Sequence, residues 1–383
     1  MTSQNVEEHD ALNGVRGAAK RFLSAHASSA KVREAMATER GWDAALWSRM
    51  AGELGWSALA IPEAFGGAGA GAWELAAVFE EMGRACACAP LFSTVCLGAQ
   101  TILEGGDEAQ KAELLGPIAE RAATATLAIT ERGGEWEPGD VTATAAKADG
   151  GWVLRGTKRY VVDGHTADAV VVVARETGSS GKDGVGLFVV PGDARGLERR
   201  ALGTMDQTRR LAEVTLRDLH VPAGARLARG DWSAVERVLA RACVALAAEQ
   251  VGGASRCLEM SVEYAKVRTQ FSRPIGSFQA IKHKCADMLV DVESARSASL
   301  HAARVAASAA DEAELAVAAS LAKAFCSDAF LRVAGETIQV HGGIGFTWDH
   351  DAHLFFKRAK SSLQLLGAPA HHRDAIARRA GLV

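Results

Sequence analysis

Along the first part of the chain, from Val6 to Leu115, apolar residues recur every three to four positions, as in WELAAVFEEMGRA. That period predicts amphipathic helices. Glycine-rich stretches at Ile61–Gly71 and Gly105–Gly106 interrupt them. From Thr124 to Pro222 the pattern changes to short Val-, Thr- and Leu-rich runs between Gly and Asp turns: GWVLRGTKRYVV, DAVVVVARE, VGLFVVPG and AEVTLRDLHVP. These predict strands of a compact antiparallel unit. The helical period then returns in three long segments, 232–267, 278–308 and 311–338, with a shorter helix starting near Trp348. Long helices joined by short turns predict an antiparallel bundle. The expected organisation is α+β and multidomain: an N-terminal helical domain (1–119), a central antiparallel β-domain (120–226) and a C-terminal four-helix bundle (227–383). The order is not the alternating one of a Rossmann fold.

Composition narrows the function classes. With 383 residues, 48% hydrophobic and 23% charged, the chain reads as globular and of several packed units. A net charge of -3 calls for neither nucleic acid nor an anionic membrane as partner. No apolar run is long enough to span a bilayer, and the polar, acidic start MTSQNVEEHD is unlike a secretory signal. The seven cysteines form no CxxC pair, which suits a reducing cytoplasm. No metal site is expected. His350 and His353, beside Asp349 and Asp351, read as a polar first helical turn.

Two segments carry the chemistry. In QVHGGIGFTWDHDAHLFFKR (Gln339–Arg358), Gly342, Gly343 and Gly345 end one helix before another begins. Glycine there allows close approach to the backbone. Thr347 is expected to cap the next helix, with Asp349 and Asp351 in its first turn. In VRTQFSRPIGSFQAIKHKCADM (Val267–Met288), Arg268 stands beside a tight loop of free amides, an arrangement suited to a pyrophosphate.

Together these segments resemble the C-terminal domain of the acyl-CoA dehydrogenases. Leu54–Arg84 is similar to that family's N-terminal helical signature, and Leu154–Arg175 to its strand pair beside the flavin. The resemblance implies FAD as cofactor. It places Arg268, Gln270, Phe271 and Gln279 on the adenine-side half of FAD, and Gln339, Gly342 and Gly343 on the FAD of a neighbouring subunit. Ile129, Thr130, Tyr160 and Val162 would line the flavin ring. The implied reaction removes a proton α to an acyl-CoA thioester and passes a hydride from the β carbon to flavin N5. An electron-transferring flavoprotein is the implied acceptor, and a homo-oligomer or a heterotetramer with a related subunit the implied assembly.

The chain departs from the family pattern where a carboxylate is needed. After Thr130-Glu131 the usual Gly-Ser-Asp is replaced by RGGEWEPGD. At the position of the family's C-terminal glutamate, aligned through Lys357–Lys360, stands Leu366, and the second known location falls near Ala242. Glu249, in VALAAEQVGGA, is the expected base. Its helical neighbours Ala245, Leu246, Gly252 and Gly253 cannot pair with it. The two glycines, costing roughly 1 kcal/mol each, suggest something bulky against that face and room for a bulky acyl chain. The competing expectation is that Glu249 faces solvent or bonds Arg241 or an arginine from another helix, and that the glycines serve helix packing. Glu131, Glu236, Glu263 and Asp287 are weaker candidates. Bacterial members acting on steroid side-chain thioesters resemble the AAEQVGG segment and often work as unlike pairs. Two rival functions stay open: a non-catalytic partner subunit that contributes FAD contacts, and an oxygen-using flavoenzyme of the same fold.

Overall fold

The computed structural model describes residues 3–308 and 311–382. In chain order the elements are α1 (Ser3–His26), α2 (Ser29–Ala37), α3 (Ala44–Ser48), α4 (Ala72–Arg84), α5 (Gln100–Gly105) and α6 (Glu108–Arg121). Strands β1 (Ala125–Ala128), β2 (Thr144–Ala148), β3 (Gly151–Val162), β4 (Ala169–Glu176), β5 (Val185–Pro191), β6 (Leu197–Ala201) and β7 (Leu211–Pro222) follow. Then come α7 (Trp232–Val267), the hairpin β8 (Thr269–Gln270) and β9 (Arg273–Pro274), α8 (Gln279–Ala307), α9 (Glu312–His341), α10 (Ala352–Gln364) and α11 (Pro369–Arg379). The helical, strand, helical order is the expected one. Among the described residues no helix is long and apolar enough to cross a membrane.

The chain divides into two compact units that do not follow sequence order. One comprises Met1–Glu34, Gly71–Ala87 and Cys243–Val383, the other Ala35–Ala70 and Cys88–Ala242. The second holds the seven-stranded sheet, ordered β1-β4-β2-β3-β7-β6 with β5 on β4. Its ladders are mostly antiparallel, but β4 runs parallel to both β1 and β2. Val170, Val172, Phe188, Leu154 and Val214 fill its core. This is why β4 reads as an unbroken apolar run rather than an alternating one. Asp107 and Gln110 close a reciprocal capping box that starts α6.

The first unit is the bundle. α9 packs most of its circumference, as its Ala-rich composition allows, and keeps one exposed stripe through Leu321, Phe325, Arg332 and Gln339. Cys257, Met260, Met288, Val292, Phe330 and Phe355 pack at its centre. Two expectations are corrected here. α10 starts at Ala352, not near Trp348, and Thr347 does not cap it. The Asp351 carboxylate is instead taken by Arg33 at 2.7 Å and Ser29 at 2.6 Å. Gly252 and Gly253 do not leave room for an acyl chain. A Cβ on Gly252 would lie 1.8 Å from the Glu80 carbonyl oxygen, and one on Gly253 2.5 Å from the Phe330 ring. Gly83 meets the Glu249 backbone oxygen equally closely. The bulky object against that face is α4 itself.

Candidate functional site

The RTQFSRP segment folds as a two-residue hairpin in which Gln270 pairs with Arg273. Phe271 and Ser272 form the turn with φ of 51° and 60°. Such turns favour Asn-Gly, and a left-handed phenylalanine is a strained choice. Phe271 at this turn is 87% exposed. The Ile275 amide closes the loop on the Arg268 carbonyl at 2.8 Å. Arg268 itself is exposed and makes no ion pair among the described residues. Gln279, also exposed, opens α8.

The Tyr264 and His341 rings stack with centroids 4.4 Å apart. This contact sets the last turn of α7 beside the end of α9, so the hairpin and the Gly342-Gly343 turn belong to one end of the bundle. Gly342 has a φ of 64°, and a Cβ on either glycine would meet nothing within 4 Å. Gln339, Ile344, Phe346 and Trp348 are exposed on the same end. An unpaired arginine, unshielded glycine backbone and a group of exposed apolar rings fit a dinucleotide shared with another chain. Tyr264 and His341 were not singled out from the sequence. Their pairing joins residues far apart in the chain, and no local pattern announces it.

In the sheet unit, Ile129, Thr130 and Val162 are buried. The Thr130 hydroxyl donates to the Arg159 carbonyl, and the Arg159 amide returns a bond to the Thr130 carbonyl at 2.8 Å. A register shift between Lys158 and Val161 turns Tyr160 outward, with a φ of 58°. Lys158, fully buried, donates to the Ile129 carbonyl at 3.1 Å and to Glu131 at 2.7 Å. Burial pushes the Lys158 ammonium down to about 8, although Glu131 opposes the shift. Glu131 also accepts from the Thr142 and Ala143 amides at 3.0 and 2.9 Å. Burial raises its carboxyl, but the Lys158 charge and these bonds outweigh that and hold it below its ordinary value. Glu131 is therefore a loop anchor and not an idle acid.

Glu249 has a partner as well. Arg358, on α10, donates to it at 2.7 Å, with both side chains only 5% exposed. The expectation of an acid without structural employment is corrected, in favour of an arginine from another helix. Glu236 pairs with Lys182, and Glu263 lies near Arg256. Ala242 is fully buried, and Leu366 is buried with a φ of 61°. The Leu366–Gly367 turn is held from behind. Lys323 donates to the carbonyls of Leu363 and Gly367 at 3.2 and 3.0 Å, and to Ser327 at 2.9 Å. His372 donates to the Leu366 carbonyl at 3.0 Å. Burial lowers Lys323 to about 8, and burial together with Lys323 lowers His372 to about 3. A lysine in the apolar run SLAKAF could have signalled this buried role.

Comparison with known proteins agrees with this architecture. Residues 7–122 match the acyl-CoA dehydrogenase N-terminal domain, 126–219 the middle domain and 230–381 the C-terminal domain. Acyl-CoA dehydrogenase IpdE2 of Mycolicibacterium smegmatis is 37% identical over 348 residues, covering 91% of this chain and 92% of that protein. Among solved structures, a variant of the Tcur3481–Tcur3483 steroid ACAD is 32% identical with a TM-score of 0.86, over 97% of this chain and 98% of that one. The ChsE4–ChsE5 complex of Mycobacterium tuberculosis is 28% identical with a TM-score of 0.87, over the same 97% and 98%. The three domain matches, together with the helical, sheet and helical-bundle order, show that this chain belongs to the acyl-CoA dehydrogenase family of oxidoreductases acting on acyl-CoA.

Proposed function

We propose that this chain works as one subunit of a mixed-chain, FAD-dependent acyl-CoA dehydrogenase that desaturates a thioester between its α and β carbons, with the proton-abstracting carboxylate supplied by the sister chain. The observation that carries the reading is the Glu249–Arg358 pair. Protonating Glu249 would break a close ion pair inside the core, which is expensive. A base must alternate between its two states, and a carboxylate tied at 2.7 Å to a buried guanidinium is poorly placed to do so. Leu366 and Ala242 hold apolar side chains at the other two positions. Two similar solved structures, ChsE4–ChsE5 and Tcur3481–Tcur3483, are named as pairs of chains, and the second as a steroid ACAD. A steroid-type acyl group is the substrate class this favours.

Bound FAD would supply the two-electron acceptor for the acyl group. This chain's own residues then bind and orient. Arg268 and the hairpin amides meet the pyrophosphate. Gln270, Phe271 and Gln279 hold the adenine-side half, and Gln339, Gly342 and Gly343 meet the neighbouring subunit's dinucleotide. Ile129, Thr130, Tyr160 and Val162 form the ring-side wall, which Lys158 and Glu131 keep rigid. An electron-transferring flavoprotein is the acceptor in the same reading.

Purification alone and with co-expressed sister chains tests this. The expected result is a flavin-poor protein alone. The mixed assembly should be yellow and bleach with a steroid-type acyl-CoA. Full turnover by this chain alone, lost in Glu249→Gln with flavin retained, would overturn the reading and make Glu249 the base.

A further inference from the structure

Within the helical unit, α1, α2, α4, α7 and α10 surround a cavity of about 320 Å³. Its floor is apolar and buried, formed by Leu23, Val32, Leu354 and Phe355. Glu81 of α4 stands in its wall, 5% exposed. Among the described residues, the only ion pair of its carboxylate is with Arg84 Nε at 3.5 Å, too far for a good hydrogen bond. The terminal nitrogens of Arg84 are committed elsewhere, both to Glu259 at 2.8 Å. Burial pushes the Glu81 carboxyl above its ordinary value. A buried carboxylate without close donors is costly unless something in the cavity answers it.

Positive charge on the same lining is also under-used. Arg256 reaches Glu259 and Glu263 only at 3.5 Å each. Lys20, exposed at the mouth, makes no ion pair among the described residues. Asp351, also on the lining, is held by Arg33 and Ser29, so the cavity offers the Glu81 carboxylate inside, Lys20 and Arg256 near it and an apolar floor.

We propose that this cavity is a binding site for a small zwitterion of amino-acid type, its ammonium on Glu81, its carboxylate toward Lys20 and Arg256, and its aliphatic chain on the Leu23–Phe355 floor. An amine alone leaves the cations unanswered. A carboxylic acid alone meets Glu81 with the wrong charge.

Calorimetric titration of the folded, flavin-loaded assembly distinguishes the cases, with L-leucine, isoamylamine and 4-methylpentanoate as probes. L-Leucine should bind saturably, about tenfold or more tighter than either analogue. Glu81→Gln should weaken it by about tenfold or more. Lys20→Ala, an exposed change that the fold tolerates, should also weaken it. Absence of saturable L-leucine binding overturns the proposal. So does equal affinity for all three probes, or unchanged affinity in both variants.

Discussion

The Arg358 guanidinium and the Glu249 carboxylate meet at 2.7 Å inside the helical unit, linking α10 to α7. Removing one partner of such a pair costs about 3–5 kcal/mol, because the other charge stays buried and alone. Glu249→Ala and Arg358→Met should each lower unfolding stability by that order. A double variant, Glu249→Leu with Arg358→Met, should recover much of the loss. Urea unfolding of the three variants checks it. Additive losses in the double variant would show that the two charges do not act as a pair.

Lys323 and Lys158 make stability depend on pH in an unusual direction. Each has an ordinary value of 10.5 and a folded value of about 8. Between those limits the unfolded chain holds more protons, so stability rises with pH, by at most about 1.4 kcal/mol per unit for each group. The buried thiols Cys243 and Cys326 oppose this above their ordinary 9.0, since burial raises both to about 12. The window in which the lysines act unopposed is therefore pH 8 to 9. Lys323→Met should flatten the rise there. An identical slope in wild type and variant would remove Lys323 as its source.

Gly252 is a point of close packing between α7 and α4, where an added Cβ would meet the Glu80 carbonyl oxygen at 1.8 Å. That oxygen is backbone and cannot step aside. Gly252→Ala should cost on the order of 3 kcal/mol, at the upper end for overpacking. Gly253→Ala, which meets only the Phe330 ring, should cost less. Comparing the thermal midpoints of the two variants is sufficient, and the reverse ranking would contradict the packing account.

Arg268 bears on cofactor retention. A charged hydrogen bond contributes about 1.5–3 kcal/mol, so Arg268→Ala should weaken FAD binding by roughly ten- to a hundredfold. The ratio of flavin to protein absorbance after dialysis of the mixed assembly reads this directly. Unchanged retention would remove Arg268 from the dinucleotide contacts. Thermal stability should change little, because Arg268 is exposed and holds no other side chain in an ion pair.

Local pattern was enough for the element order and the three long helices; after Arg268 it marked a tight loop, and the β8–β9 hairpin in it came only with the structure. Periodicity and turn chemistry act over a few residues, and α7 spans the predicted 232–267. Glycine's lack of a side chain likewise marked Gly252 and Gly253 as special from the sequence. What approached them was decided by the fold: the α4 backbone at Gly252 and the Phe330 ring of α9 at Gly253, not a ligand. Glu249 shows the same division. Its four helical neighbours cannot pair with it, and its Arg358 partner lies 109 residues away. The Tyr264–His341 stack, the Lys323 clasp on Gly367 and the cavity beside Glu81 share that origin. Each is made by side chains that approach only when separate helices pack, and no sequence period records which helices will meet.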